Sequence, residues 1–372
     1  MDKFDGAVRA IARVLRTRYP GFILGRPLVR AEIPVFTYHD VERAELAADL
    51  EFLRRNGYRT LGVEELVRAR SGKGSPGRCV LLTFDDARRS FYEVALPVLR
   101  EYRARAVLFA PSWWMGAASA QQAPGRELFM SWSEVRECLA SGLVDVESHA
   151  HRHALVHTSS ELVTFANPAA LRRYDLYDWP MQYGARGDEL GRPALGTPVY
   201  RAAPLLSAER RYLEPGGLTD ECRQFVERAG GAEFFVRPRW QKTLRAFHAA
   251  RAAAFPGRFM TQVAFRDLVA SEFELSREHF RAELGHAPTY LAFPWMLGSR
   301  SSLELAKRFG IRAAFGVALD FRAERAGWSP IPVYGRFKCD WLRFLPGDGR
   351  ASVLGAVGRK IAQFPKVQHL AH

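Results

Sequence analysis

The stretch "RCVLLTFDDARRS", residues 78–90, joins a continuous apolar run to two adjacent carboxylates. The run contains almost no polar residue, which predicts a strand covered on both faces, as in a parallel sheet flanked by helices. Asp85 and Asp86 follow where this strand meets a loop. Two neighbouring negative charges repel each other, and burial increases the cost. The pair therefore requires a cation, a proton or a reaction beside it.

The same strand-then-helix pattern extends in both directions. From residue 33, short apolar runs alternate with amphipathic helical patterns, which is typical of βα units. The predicted strands are "IPVFTYHDV", "RCVLLTF", "RAVLFAP", "LVDVESH", "PTYLAFPW" and "IRAAFGV". Predicted helices cover about 89–103 and 264–284, one ends at Gly310, and "SWSEVRECLASG" begins with a capping box of Ser131 and Glu134.

Residues 157–260 interrupt this pattern. They are rich in Pro, Gly, Tyr and Arg and show no sustained alternation. A structureless loop of this length would be unusual in a compact domain. We therefore predict an insertion made of loops with one or two helices, and its segment "YDLYDWPMQYGARG" is placed to cover a site.

Composition limits the class of protein and its partners. The 372 residues are 48% hydrophobic and 25% charged, which is ordinary for a globular protein. The net charge of +14 favours an anionic partner, such as an acidic lipid surface or a phosphorylated substrate. Because no nucleic-acid-binding motif appears, we expect no nucleic-acid partner. The four cysteines lie far apart and lack C-x-x-C spacing, which argues against a cysteine zinc site.

The two ends of the chain are predicted to lie outside the main domain, which spans 31–350. Residues 1–30 contain a basic amphipathic helix and a linker, and 351–372 form a tail. The helix either packs on the domain or lies on an anionic membrane surface. Its apolar run is too short for a signal peptide. We therefore expect a cytoplasmic protein, with peripheral contact at the inner face of the membrane as a further hypothesis.

The segment "SHAHRH" supplies histidines at a spacing that suits a metal. His149 and His153 converge on one ion if the segment forms a helical turn, while His151 between them would face solvent. One carboxylate completes three ligands, the usual number for a catalytic zinc that keeps a position for water. A second carboxylate can accept the proton of that water. Alternatively, "FDD" is a helix cap and the histidines lie on a surface helix.

Strand ends bring these groups together. In barrels of βα units, catalytic residues collect at the carboxyl ends of the strands. His39, Asp85, Asp86, His149 and Trp295 all follow predicted strands.

The motifs resemble those of the polysaccharide deacetylase family, carbohydrate esterase family four. Thr83–Asp86 matches its T-F-D-D motif, and His149–His153 matches H-[ST]-x-x-H with Ala150 at the Ser/Thr position. The resemblance implies a distorted (β/α) barrel with a long insertion. It also implies that Asp85 is the catalytic base and that Asp86, His149 and His153 hold a divalent metal, Zn²⁺ or alternatively Co²⁺ or Ni²⁺.

The sequence departs from the common family pattern in several places. Ala87 replaces the usual glycine, and the arginine-containing third motif is missing. "LAFPWMLGS", with Pro294 and Trp295, looks instead like the variant found in the poly-N-acetylglucosamine deacetylases of biofilms. The late Leu-x-His motif that supplies the general acid is also missing. "FTYHDV" resembles the N-terminal Y-H-x-V strand of that branch, which implies His39 as general acid.

Aromatic residues at the predicted strand ends are candidates for binding the sugar, because aromatic faces stack on sugar rings. The candidates are the aromatic Tyr38, Trp113, Trp114 and Trp295, together with the adjacent Pro294; core packing is the alternative for the tryptophans. The basic C-terminal stretch "GRFKCDWLRFLPGDGR", residues 335–350, is interpreted as a solvated, partly packed face.

We therefore expect a metal-dependent hydrolase that removes an acetyl group from an N-acetylated sugar. The basic surface favours a lipid-linked or nucleotide-linked glycan as the substrate. The alternatives are hydrolysis of another C–N amide, such as that of a formamido sugar, and a non-catalytic carbohydrate-binding relative. The sequence does not predict an oligomeric state.

Overall fold

The computed structural model describes residues 21–24, 27–28, 32–70, 77–115, 128–184, 187–317 and 329–351. The predicted N-terminal helix and the C-terminal tail lie outside these ranges. No helix in the described ranges is both long and apolar enough to cross a membrane.

Seven parallel strands form a closed barrel. In order around the barrel they are β1 (Val35–Tyr38), β3 (Cys79–Phe84), β4 (Ala106–Ala110), β5 (Val144–Ser148), β12 (Tyr290–Ala292), β13 (Ala313–Val317) and β14 (Val333–Lys338). β14 pairs with β1 and closes the ring, while β2 (Arg59–Thr60) pairs with β3 on its other side. The predicted barrel architecture is therefore confirmed.

Successive residues of each strand face opposite sides of the barrel wall. Leu81 and Val107 pack together in one apolar cluster, whereas Leu82 and Leu108 belong to another. The second cluster contains the buried faces of the surrounding helices. These are α1 (Arg43–Arg55), α3 (Leu96–Tyr102, preceded by a π-helical turn at Phe91–Ala95), α4 (Trp132–Ala140) and, through Phe280, α8 (Gln262–Leu284).

Two further helices pack on the barrel: α2 (Val63–Arg70), whose buried residues join the cluster of Leu81 and Val107, and α9 (Arg300–Arg308). The predicted capping box at the start of α4 is present, with the Ser131 side chain accepting from the Glu134 amide. It fixes the point where the chain turns from loop to helix.

The segment between β5 and β12 forms its own small structure. A four-stranded sheet in the order β8-β7-β6-β9 is its main element. Its strands are β6 (Leu155–Phe165), β7 (Pro180–Gly184), β8 (Gly187–Glu189) and β9 (Pro198–Pro204), followed by the short pair β10 (Tyr212–Leu213) and β11 (Arg258–Phe259). Helices α5 (Pro168–Arg173), α6 (Gly216–Arg228) and α7 (Trp240–Ala252) accompany it. The prediction of loops with one or two helices was therefore wrong for this segment.

Candidate active site

The two aspartates of the opening stretch lie directly beyond β3, and both are buried. Asp85 continues the strand pairing, since its amide donates to the Tyr38 carbonyl at 3.0 Å. Asp86 then takes a left-handed backbone conformation, with φ 71°. This reversal turns the two carboxylates toward different partners.

Asp86, His149 and His153 form a compact buried cluster. Oδ1 of Asp86 lies 3.4 Å from Nε2 of His149 and 3.4 Å from Nε2 of His153. One ligand atom from each of the three residues falls within 4.8 Å of the others. Nδ1 of His149 lies 2.8 Å from the Ala292 carbonyl of β12. Because a carbonyl only accepts, Nδ1 carries the proton and Nε2 is left to face the cluster.

The chemistry of this donor set fits a divalent cation. Among the described residues, Oδ1 of Asp86 and Nε2 of His149 have no hydrogen-bond partner although both are buried. Buried polar atoms are rarely left without a partner, so such atoms need an explanation. Two imidazoles and one carboxylate match the three protein ligands of a catalytic zinc site, and suit Co²⁺ and Ni²⁺ as well.

Burial and neighbouring charges set the protonation of the two imidazoles. Burial alone lowers the pKa of both. At His149 the negative charge of Asp85 and the contact with Asp86 outweigh burial, and the pKa is raised. At His153 burial prevails and lowers the pKa to about 3. His153 therefore presents a neutral imidazole at neutral pH, the form that binds metals, while a metal at His149 would displace a proton.

Asp85 is held apart from the cluster by an arginine. Nη1 of Arg336, on β14, donates to Oδ1 of Asp85 at 2.7 Å, and both side chains are buried. Oδ2 of Asp85 lies 3.7 Å from Nε2 of His149. Burial would raise the pKa of Asp85, but the charge of Arg336, followed by those of His149 and His39, lowers it. Asp85 is therefore an ionised carboxylate beside the cluster and not a member of it.

Arg336 is one of the site residues that the sequence analysis missed. The stretch containing it was interpreted as a solvated face, yet its guanidinium is wholly buried and packs over the Phe109 ring. Its apolar-flanked position in "PVYGRFK" resembles a strand and was the available signal. Arg336 thus places a buried arginine beside the candidate base. It does so from β14, and not from the position of the third motif that this sequence lacks.

The loop that carries the two histidines is not helical. Residues 149–154 lack helical structure, and both Ala150 and His153 have positive φ, at 63° and 48°. His151 does not face solvent as predicted. It is buried, with Nδ1 2.8 Å from the Ser112 hydroxyl. Burial lowers the pKa of His151 to about 4, so it takes part in the packing as a neutral ring.

The side chain of Glu272, on α8, stabilises this loop. Its side chain is 1% exposed and accepts from the amides of His151 at 3.2 Å and Arg152 at 2.8 Å. It also pairs with the Arg152 guanidinium. A carboxylate thus satisfies backbone groups that a non-helical buried loop would otherwise leave unpaired.

Left-handed backbone concentrates around the cluster. Eight non-glycine residues in the described ranges have positive φ, and six of them belong to loops of the site: Asp86, Ala87, Ala150, His153, Trp295 and Met296. Such conformations cost about 1–2 kcal/mol per residue and persist where the surroundings determine them. Ala87 has φ 49°, a backbone conformation that favours glycine, which is the usual residue at this position in the resembled family.

His39 lies at the edge of the site. Its Nε2 is 4.0 Å from Oδ2 of Asp85, and its side chain is 48% exposed. The carboxylate of the neighbouring Asp40 approaches Nε of Arg88, at 3.9 Å. His39 is therefore placed where it can reach both the carboxylate and an incoming molecule.

The aromatic candidates separate into two groups. Trp295 packs against the His153 ring, with centroids 4.2 Å apart, and Trp113 is half-buried near His151. Trp114 is completely buried, with its indole N–H donating to the Arg152 carbonyl, so it is a packing residue. Tyr38 is also buried; it stacks on Phe84 and donates to Asp49 of α1. Strand alternation turns it toward the helices, and the prediction that it binds the sugar was wrong.

Pro294 is buried within a short 3-10 turn, Pro294–Met296. The turn holds Trp295 in a left-handed conformation, at φ 51°, against the histidine. Pro294 is thus placed to orient its neighbour rather than to offer a surface.

Comparisons with known proteins agree with this geometry. The family model described as "Polysaccharide deacetylase" matches residues 72–167. A poly-beta-1,6-N-acetyl-D-glucosamine N-deacetylase of Escherichia coli (strain K12) is 30% identical over 160 residues, 40% of this chain and 24% of that protein. A protein of the same name from Staphylococcus epidermidis is 27% identical over 118 residues, 32% of this chain and 39% of that protein. The chain thus aligns with about a quarter of the length of the Escherichia coli relative.

Two solved structures share the fold. A de-N-acetylase from Aggregatibacter actinomycetemcomitans superimposes with a TM-score of 0.52 at 18% identity, covering 88% of this chain and 98% of that one. The BpsB deacetylase domain from Bordetella bronchiseptica has a TM-score of 0.51 at 17% identity, covering 82% and 96%. The resemblance predicted from Thr83–Asp86 and His149–His153 is confirmed for the segment that carries both motifs, since residues 72–167 match the polysaccharide deacetylase family.

Proposed function

We propose that this protein is a metal-dependent hydrolase that removes acetyl groups from N-acetylglucosamine units of a glycan. The observation that supports it most is the buried Asp86–His149–His153 cluster with an ionised Asp85 beside it. The names of the sequence relatives support the sugar, since both are deacetylases of a poly-N-acetylglucosamine.

Each residue has a distinct part in this proposal. Asp86, His149 and His153 would hold the cation. A bound divalent cation supplies Lewis acidity at the amide carbonyl and lowers the pKa of a bound water. Asp85, kept ionised by Arg336, accepts the proton of the attacking water. His39 donates a proton to the departing nitrogen, which leaves as a free amine together with acetate.

The alternatives remain within reach of one assay. The same residues would hydrolyse a formamido sugar, in which case the enzyme releases formate. The missing third-motif arginine favoured a non-catalytic relative, but Arg336 fills the position beside Asp85 and argues for an active site. We further propose, from the net charge of +14, that the natural substrate is a lipid-linked or nucleotide-linked glycan handled on the cytoplasmic side.

Asp85→Asn tests the assigned base. A lost general base is expected to lower acetate release from N-acetylglucosamine oligomers by about 10²–10⁴-fold, with the metal content of the protein unchanged. Asp220→Asn, at an exposed position on α6, is the matched control and should keep full activity. Unchanged acetate release in folded Asp85→Asn protein would refute the assignment, and formate as the product would select the alternative substrate.

A further inference from the structure

The phenol of Tyr177, a residue of the insertion, contacts the candidate metal ligand Asp86. Tyr177 lies in a 3-10 turn, Leu176–Asp178, and its hydroxyl is 2.9 Å from Oδ2 of Asp86. Oδ2 is the carboxylate oxygen that faces away from the histidines, since Oδ1 is the one 3.4 Å from both imidazoles. The two oxygens of Asp86 are thus divided between the phenol and the candidate metal position.

Arg88 fixes the direction of this hydrogen bond. Nη2 of Arg88 lies 2.7 Å from the Tyr177 oxygen. A guanidinium only donates, so the phenol oxygen accepts from Arg88 and its own proton points to Asp86.

The insertion holds both partners in place. The Asp175 carboxylate pairs with Nη2 of Arg88 and also accepts from the Leu176 amide at 2.8 Å, which starts the 3-10 turn. The Arg88 guanidinium lies over the Tyr177 ring, 5.1 Å from its centroid. Arg88 is itself buried. Asp175, Arg88 and Tyr177 therefore form one hydrogen-bonded unit, which we call the phenol clamp.

The ring of Tyr177 contacts a second candidate ligand. Its centroid lies 4.6 Å from that of His153, which also packs against Trp295. The clamp therefore orients Asp86 by a hydrogen bond and His153 by packing. Hydrogen-bond partners of metal ligands fix ligand orientation, and their loss typically costs 10–100-fold in metal affinity.

We propose that Tyr177 is a positioning residue for the metal, so that the insertion completes a site whose ligands all come from the barrel loops. This inference rests on the proposed metal-dependent function. It assigns the insertion a part in metal retention that is separate from any role in covering the sugar.

Tyr177→Phe keeps the ring and removes the hydroxyl. We expect its dissociation constant for Zn²⁺, measured by competition with a chromophoric chelator, to rise about 10–100-fold. Activity should recover when Zn²⁺ is raised, because the ligands themselves remain. A purely structural defect would lower the melting temperature and would not respond to metal. Tyr174→Phe is the matched control, since it removes a hydroxyl three residues earlier and should leave Zn²⁺ affinity unchanged.

Each outcome has one reading. Equal Zn²⁺ affinity of wild type and Tyr177→Phe would overturn the clamp while leaving the proposed function standing. Failure of the wild type to bind Zn²⁺, Co²⁺ or Ni²⁺ would overturn the proposed function as well. Should Tyr177→Phe not fold, Asp175→Asn tests the same clamp: it keeps the cap of the turn, removes the charge that holds Arg88, and is also expected to weaken Zn²⁺ binding.

Discussion

At the scale of the residue, the charge of Arg336 keeps the buried Asp85 carboxylate ionised beside the candidate metal ligands. Those ligands, Asp86, His149 and His153, could be predicted because they stand in short patterns whose spacing indicates their chemistry. The ion pair of Asp85 with Arg336 joins residues 251 positions apart, and no sequence pattern near Arg336 identifies Asp85 as its partner. Tyr177 was missed for the same reason, since its contact with Asp86 depends on how the insertion folds. Side-chain direction within a strand similarly decided against Tyr38.

Arg336→Met provides a test of the buried pair. It leaves the Asp85 carboxylate without its 2.7 Å partner in a buried position, which typically costs about 3–5 kcal/mol. Arg312→Met is the control, because Arg312 pairs with Glu64 at an exposed position and its loss should cost at most about 1 kcal/mol. The free energy of unfolding is measured by urea denaturation. Equal losses of unfolding free energy in the two variants would show that the buried pair contributes no more to stability than the exposed pair.

At the scale of the element, the barrel strands were predictable and the sheet of the insertion was not. β3 and β4 are short, apolar and buried along their whole length, so their sequences are clear. β6 is half-exposed over its middle residues, and its pairing with β9 shifts register twice. Such a strand loses the strict alternation that identifies half-buried strands. The prediction of a helical turn for the histidine loop was wrong, because the buried carboxylate of Glu272 on α8 accepts hydrogen bonds from the loop amides.

Glu272→Gln tests that anchoring. Replacing the carboxylate weakens charge-assisted bonds to two amides and to Arg152, and we expect a loss of about 1.5–3 kcal/mol in unfolding free energy. Amide hydrogen exchange in residues 149–154 should become faster. Glu274→Gln, at an exposed position of the same helix, should stay within about 0.5 kcal/mol of wild type. Unchanged exchange in the loop of the Glu272 variant would contradict the anchoring role.

At the scale of the whole molecule, the excess of basic residues has a local concentration on the insertion. Val236 is 78% exposed at the end of a 3-10 turn, and the exposed Arg237, Arg239 and Lys242 follow it. An exposed apolar side chain among basic ones is suited to an anionic lipid surface. We propose that this patch, in addition to the predicted N-terminal helix, makes the membrane contact hypothesised from the sequence.

Val236→Glu is expected to reduce flotation with liposomes that contain anionic lipid by about fivefold or more at low salt. The substitution replaces an apolar side chain with a negative charge, which the anionic lipid repels. Val263→Glu makes the same chemical change at a residue that is 73% exposed but lies outside this patch, and binding should be retained. Equal behaviour of the two variants, or no flotation of the wild type, would remove the membrane proposal.

The pairing of β1 with β14 has a consequence for biosynthesis. β1 also pairs with β3, so the earliest barrel strand to be translated must wait with one side open until β14 has left the ribosome. Arg336, on β14, reaches Asp85 only at that moment, whereas His39 follows β1 directly and approaches Asp85 from the other pair of strands. A nascent chain truncated before residue 333 would therefore present an unpaired edge of β1 for chaperones to shield, and it would lack Arg336, the buried partner of the Asp85 carboxylate.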